Sequence, residues 1–174
     1  GSVYNREELT ALAKVLEKHP HVYVVSDEIY EHINFSGTFC SIASIPGMLE
    51  RTITVNGVAK AFAMTGWRIG YIGAPEFIAK ACTKIQGQVT SGANSIAQRA
   101  TITAVEADPS VLNEMVSAFK SRRDLVVGLV KEIPGFKLNV PEGAFYVFPD
   151  VSYYFGKTIK GTEIKNATDF SMFL

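Results

Sequence analysis

Lys60 is the residue of this sequence whose type and surroundings most strongly suggest covalent chemistry. It is the single amine among the mostly apolar and small residues 55–67, and Arg68 follows it by eight positions. Scarce water disfavours an ammonium ion relative to the neutral amine, and a neutral amine is a nucleophile toward carbonyl groups. The pattern therefore predicts that Lys60 reacts with an aldehyde or a ketone.

Asp27 and Tyr30 form a second candidate group, in the sequence SDEIY at residues 26–30. A carboxylate can hold a proton on a ring nitrogen, but an exposed ion pair contributes only about 0–1 kcal/mol, so partial burial of Asp27 is expected. The Tyr30 phenol can donate a hydrogen bond to a ring oxygen. The alternatives are that Asp27 caps a turn and that Tyr30 is a packing residue.

Arg68 is the candidate for binding phosphate, because a guanidinium offers two parallel donors. The alternative is a structural salt bridge within a strand. Residues 90–95 are predicted to be a loop that ends at a helix cap. The three histidines show no metal-binding spacing, and no metal is expected.

Apolar runs and helical spacing alternate along the first two thirds of the chain, which indicates an α/β fold. Strands are predicted at residues 22–25, 52–55 and 67–73, and helices at 7–18, 76–84, 95–107 and 109–133. Two further strands are predicted at 136–140 and 144–148. Asp27 and Lys60 both follow predicted parallel strands, so they are expected to converge at the carboxyl edge of one sheet.

The pattern further predicts two domains. Residues 1–110 are assigned to a large domain with a mostly parallel sheet and helices on both faces. Residues 111–174 are assigned to a bridging helix and an incomplete small α+β domain. A helix start near Thr168 is followed by only a few residues, so the chain is expected to be a fragment.

Composition and charge narrow the class of function. The 17 basic and 17 acidic residues balance, with no basic block, so neither nucleic acid nor a membrane is an expected partner. Cys40 and Cys82 form no motif and are expected to be reduced, as in a cytoplasmic protein. The sequence is therefore most consistent with a cytoplasmic enzyme.

Four motifs together resemble class I pyridoxal-phosphate-dependent aminotransferases, and in particular the bacterial aspartate aminotransferase branch. They are SDEIYEH at 26–32, TVNG at 54–57, AMTGWRIG at 63–70 and PEGAFY at 141–146. The resemblance covers essentially the whole chain. It implies transfer of an amino group from an amino acid, aspartate or a similar one, to a 2-oxo acid, and a homodimer.

The resemblance also implies residue roles. Lys60 would form the Schiff base with pyridoxal 5′-phosphate and carry the proton between the substrate α-carbon and the cofactor. Asp27 would pair with the ring nitrogen, Tyr30 would bond the ring oxygen, and Arg68 would bind the phosphate.

This chain departs from the family pattern at Gly57 and Ala59, where relatives often carry hydroxyl residues. The resemblance also places the arginine that grips the substrate carboxylate beyond Leu174, so the chain alone is expected to have little or no activity. The rival hypotheses are a pyridoxal-phosphate lyase or synthase on the same fold, and a non-catalytic nucleotide-binding module. The nucleotide module lacks a glycine-rich phosphate motif.

Overall fold

The computed structural model describes residues 1–174, which form five α-helices and five β-strands. The helices are α1 (Arg6–Leu16), α2 (Glu76–Val89), α3 (Ser95–Val105), α4 (Asn113–Lys131) and α5 (Ala167–Phe173). The strands are β1 (Val24–Asp27), β2 (Thr52–Gly57), β3 (Gly70–Gly73), β4 (Lys157–Ile159) and β5 (Thr162–Ile164). The α/β class predicted from the sequence is confirmed. None of these helices combines the length and apolar character that crossing a membrane requires.

The main sheet has three strands in the order β1–β2–β3. Strand β1 runs parallel to β2, and Asp27 lies beside Val55 in their register. Strand β3 runs antiparallel to β2, so the sheet is mixed. The two parallel strands end at the same edge, and Lys60 follows the last residue of β2 by three positions.

Strand β1 begins and ends two residues later than the apolar run at 22–25 predicts. Val22 belongs instead to the turn after α1, because its N–H donates to the carbonyl of His19 at 3.0 Å. Asp27 is consequently the last residue of the strand, whereas the sequence predicted that it lies two positions beyond the strand end.

A small hydrophobic core joins α1 to the segment before β2. Helix α1 begins with a reciprocal cap: Asn5 Oδ1 accepts from the Glu8 N–H at 2.9 Å, and Glu8 Oε2 accepts from the Asn5 N–H at 2.8 Å. The helix then buries its apolar face against the 41–48 region; the buried residues are Leu9, Ala13, Ile42, Ile45 and Met48. Arg51, directly before β2, connects the sheet to the end of α1 and the following turn. Its guanidinium donates to the carbonyls of Leu16, His19 and Val22.

The third strand is shorter than predicted, because residues 65–68 turn before it begins. Thr65–Trp67 form one 3₁₀ turn, and Arg68 ends it with φ 56°, in the left-handed region. That conformation is incompatible with a continuous strand. The expectation that Arg68 lies within a strand is therefore wrong.

The two strands predicted at 136–140 and 144–148 do not form. Only single bridges occur there, Lys137 with Asp150 and Asn34 with Gly143. The backbone of this segment forms hydrogen bonds with a segment more than 100 positions earlier in the sequence. The Ala144 N–H donates to Ile33 O at 2.7 Å, and Ala144 has φ 57°, which is incompatible with a strand. Local pairing occurs later, in the hairpin of β4 and β5.

Helix ends also differ from their predicted positions. Helix α2 continues to Val89, and α4 begins only at Asn113, after a 3₁₀ turn at Pro109–Leu112. Helix α5 is capped by Asn166, which accepts from the Asp169 N–H at 3.0 Å, and not by Thr168. The division into domains at residue 110 stays a prediction.

Candidate active site

Asp27 lies on the open face of the main sheet. Burial alternates along β1, and Val25 and Asp27 point to the exposed side. Asp27 Oδ1 accepts from the Ile29 N–H at 3.2 Å, so the carboxylate shapes the following turn, as the alternative interpretation predicted. The expected partial burial of Asp27 is wrong, because this face of the sheet is uncovered. The carboxylate is therefore free to bind a ligand that lies against this face.

Glu28, the next residue, anchors the site from the opposite face. Its side chain is buried, and Oε1 accepts hydrogen bonds from Ser26 Oγ at 2.9 Å and Ser41 Oγ at 2.6 Å. Its backbone N–H donates to Val55 O at 2.8 Å. The strand end that carries Asp27 is thus fixed to both β2 and the core. Sequence reasoning missed Glu28, although an acidic residue directly after a buried strand was the available clue.

Tyr30 is partly buried in the turn that follows β1, and its hydroxyl lies 2.7 Å from that of Tyr146. The pKa of the Tyr30 phenol is raised from 10.0 to about 12, chiefly by burial. The hydrogen bond with Tyr146, Coulombic coupling between the two phenols and the negative charge of Asp27 raise the pKa further. Tyr30 is consequently a protonated hydrogen-bond donor at neutral pH.

Lys60 lies in the turn that follows β2 and is half-buried. The turn is fixed by Val58 and Ala61, whose side chains are fully buried. Lys60 Nζ lies 5.7 Å from the centroid of the Phe145 ring, a cation–π contact, and it has no carboxylate within ion-pairing distance. The amine borders a cavity of about 600 Å³, and its reactivity toward a carbonyl stays a prediction.

Phe145 connects Lys60 to Tyr30. Its ring stacks on Phe119 of α4 with centroids 5.3 Å apart, and it meets the Tyr30 ring edge-on at 5.3 Å. Sequence reasoning did not assign Phe145 or Tyr146 to the site. The clue was the aromatic pair directly after the Pro-Glu-Gly turn at 141–143, which had been interpreted as a strand.

The candidate residues are distributed over neighbouring cavities. Asp27, Tyr30 and Tyr146 line one of about 390 Å³, whereas Lys60 and Phe145 line the second. The consecutive aromatic residues 145 and 146 thus lie between the two. The structure brings Asp27 and Tyr30 into one cavity and links Lys60 to them only through these rings.

Arg68 is exposed and lies in a third, open cleft of about 1360 Å³. Its Nη1 donates to Thr65 O at 2.9 Å, and no carboxylate pairs with it, so the salt-bridge alternative is wrong. Hydroxyl side chains of Thr90 and Ser91 line the same cleft, and Ala63 lines both this cleft and the Lys60 cavity. The Arg68 cleft therefore shares a lining residue with the Lys60 cavity, and Arg68 does not line the cavity that Asp27 lines.

Gly57, one of the departures from the family pattern, has a structural cause. A Cβ atom at this position would lie 2.8 Å from the Ile69 carbonyl oxygen and 3.1 Å from Gly70 Cα. Strand β3 approaches β2 too closely here for any side chain. A hydroxyl residue at position 57 is therefore incompatible with this sheet geometry.

The donor set suits a flat aromatic aldehyde that carries a ring nitrogen, a ring oxygen and a phosphate. An amine, a carboxylate, a protonated phenol and an unpaired guanidinium border neighbouring cavities at the carboxyl edge of two parallel strands. This is the edge at which open α/β sheets bind ligands.

Comparison with known proteins agrees with this class of site. Residues 1–170 match the family described as aminotransferase class I and II. The chain belongs to this family.

Individual relatives are aspartate aminotransferases by name. The aspartate aminotransferase of Pinus pinaster is 49% identical over 173 residues, which are 97% of this chain and 35% of the relative. A bifunctional aspartate and glutamate/aspartate-prephenate aminotransferase of Petunia hybrida is 50% identical, over 92% of this chain and 34% of the relative. The chain therefore spans about a third of the length of these relatives.

A solved structure shows the same fold. The crystal structure of the aspartate aminotransferase from Rhizobium meliloti superposes with a TM-score of 0.93 at 45% identity. The match covers 98% of this chain and 44% of that one. The arrangement of elements described above is thus that of an aminotransferase over the residues present.

Proposed function

We propose that this protein is a pyridoxal-phosphate-dependent aminotransferase that moves an amino group from an amino acid to a 2-oxo acid. The observation that carries the proposal is the placement of Lys60. A half-buried amine follows one parallel strand, and Asp27 ends the strand beside it. When bound, pyridoxal 5′-phosphate supplies an aldehyde and a ring that accepts electrons from the substrate α-carbon.

Lys60 supplies the nucleophilic amine and, as a base, holds and moves the α-proton of the substrate. The Phe145 ring lies beside the amine, with its centroid 5.7 Å from Nζ, and restricts the directions from which a carbonyl can reach it.

Three other residues hold and orient the cofactor in this proposal. The Asp27 carboxylate binds the N–H of the protonated ring, and the Tyr30 hydroxyl donates to the ring oxygen. The Arg68 guanidinium binds the phosphate through its two-pronged donor face. Support comes from residue chemistry and from the family, and the assignment of these roles stays a prediction.

Aspartate, or a similar amino acid, is the proposed amino donor. The support is the naming of the relatives from Pinus pinaster and Rhizobium meliloti as aspartate aminotransferases. The relatives from Pinus pinaster, Petunia hybrida and Rhizobium meliloti are all named as aminotransferases, which favours amino transfer over a lyase or synthase reaction and over the nucleotide-binding hypothesis. We also propose a homodimer in the cytoplasm, the location being supported by two free cysteines, Cys40 and Cys82.

The test is to label the amine that reacts. The chain is incubated with pyridoxal 5′-phosphate and reduced with borohydride, and the modified peptide is mapped by mass spectrometry. The pyridoxyl label is expected on Lys60 and is lost in Lys60→Ala. Lys157→Ala is the matched control, because Lys157 also lies over an aromatic ring, that of Tyr153, far from Asp27 in sequence. Equal labelling of other lysines, unaffected by Lys60→Ala, would remove the enzyme proposal.

A further inference from the structure

Tyr146 is the side-chain hydrogen-bond partner of Tyr30, although 116 positions separate them in the chain. Their hydroxyl oxygens are 2.7 Å apart, and either can be the donor. Their rings meet edge-on at 83° with centroids 5.8 Å apart, and Phe145 meets Tyr30 at 82° from another side. Tyr30 is thus held by two rings and one hydroxyl.

A phenol can donate one hydrogen bond while its oxygen accepts another. If Tyr146 donates to the oxygen of Tyr30, the proton of Tyr30 is free to point elsewhere. Successive hydrogen bonds of this kind polarise and strengthen one another. In this arrangement Tyr30 donates a stronger hydrogen bond than an isolated phenol does, and the direction of its O–H is fixed.

We propose that Tyr146 is a positioning residue of the cofactor site, whose hydroxyl directs the Tyr30 O–H toward the ring oxygen of the bound cofactor. This inference rests on the proposed function. Tyr146 itself does not need to touch the cofactor, because it acts through Tyr30.

The backbone around Tyr146 is built to hold this position. Ala144 has φ 57°, and its N–H donates to Ile33 O at 2.7 Å. The Phe35 N–H donates to Glu142 O at 2.7 Å, so the two segments are bonded on both sides of Gly143. Phe145, between Ala144 and Tyr146, contacts Lys60. One short segment therefore reaches both the reacting amine and the Tyr30 phenol.

The first arm of the test uses the chain without cofactor. Tyrosines are labelled with ¹³C at Cζ, and Tyr30→Phe identifies the Tyr30 resonance. In Tyr146→Phe the titration midpoint of Tyr30 is expected to shift, because the variant removes the one side-chain hydrogen bond that Tyr30 makes. The ¹³C chemical shift of Tyr30 Cζ at neutral pH is expected to change as well. This second measurement is made at a pH at which the chain is folded.

Tyr153→Phe is the matched control. Tyr146 and Tyr153 are both 53% exposed, and the Tyr153 hydroxyl makes no hydrogen bond within the chain. This control is expected to leave the Tyr30 resonance unchanged. A Tyr30 signal that is the same in Tyr146→Phe and in Tyr153→Phe overturns the inference.

The second arm measures the affinity for pyridoxal 5′-phosphate by its absorbance, without substrate. Loss of one hydrogen bond predicts roughly 2- to 10-fold weaker binding by Tyr146→Phe and no change in Tyr153→Phe. Weaker binding by Tyr30→Phe with unchanged binding by Tyr146→Phe overturns the inference and leaves the proposed function standing. If the parent chain binds no cofactor and Lys60 is never labelled, the proposed function fails, and the inferred role of Tyr146 with it. The cofactor-free arm still decides whether the two phenols pair.

Discussion

At the scale of single residues, Tyr30 links protonation to folding. Its pKa is about 12 in the folded chain against 10.0 for an unperturbed phenol, so the fold favours the neutral form. The stability from this preference is fully present below pH 10 and is lost as the pH rises toward 12. We predict that the free energy of unfolding falls more steeply over this range in the parent chain than in Tyr30→Phe.

Urea unfolding at pH 8, 10 and 11.5 measures this difference. Tyr4→Phe is the control, because Tyr4 is exposed and its stability profile should follow that of the parent chain. Parallel curves for the parent chain and Tyr30→Phe would show that burial of the phenol does not survive in solution.

The candidate site was partly predictable from the sequence at this scale. Lys60, Asp27 and Tyr30 were identified by residue type and by their place after apolar runs, which are local properties. The roles of Phe145 and Tyr146 depend on contacts with residues more than 80 positions away. The burial of Asp27 was predicted wrongly because it depends on what covers a sheet face, which no local pattern records.

At the scale of secondary-structure elements, the close approach of β2 and β3 restricts which residues the sheet can accept. Gly57 and Gly70 are paired in the register, and a Cβ on Gly57 would lie 2.8 Å from Ile69 O. We predict that Gly57→Ala destabilises the chain by about 1–3 kcal/mol, because the strands must separate to accept the methyl group.

The prediction is checked by urea unfolding: the midpoint concentration should fall in Gly57→Ala while the dependence of the unfolding free energy on urea stays the same. Gly73→Ala, in the same sheet, is the matched control: no atom lies within 4 Å of its Cβ position, so the change should be near zero or slightly stabilising. Equal stability of the two variants would mean that β3 is not packed as closely as the structure has it.

A helix or strand was predicted correctly where the local sequence pattern and the contacts made in the folded chain favour the same structure. The apolar run at 52–55 forms a strand because it lies between two others in the sheet. Residues 144–148 have the same β-rich composition, but Ala144 bonds to Ile33 and the aromatic side chains pack around Tyr30 and α4. Distant partners thus replaced the expected strand pairing. Residues 157–164 form a hairpin whose turn residues, Lys160 and Gly161, both have positive φ.

At the scale of the whole molecule, the exposed surface is unusually large. The chain exposes 11909 Å², whereas a folded monomer of 19.0 kDa exposes about 8,400 Å². Only 18 of the 174 residues are buried. Apolar side chains at the corner between α2 and α3, Val89 and Ile96, are among the exposed ones. The chain spans about a third of the length of the relatives it matches, and apolar surface of this kind is one that further polypeptide covers, within a longer chain or in a second copy.

We predict that the chain self-associates through this corner, which would give the proposed homodimer. Sedimentation should show species heavier than 19.0 kDa whose fraction rises with concentration. Ile96 is 71% exposed and second in α3, where an aspartate is compatible with the helix start, so Ile96→Asp should dissociate the complex without unfolding it. A buried isoleucine contributes about 1.5–3 kcal/mol and occurs once per subunit, so association should weaken at least about tenfold. Phe77→Asp places the same charge at the second position of α2 and should have the smaller effect; an equal effect would place the contact elsewhere.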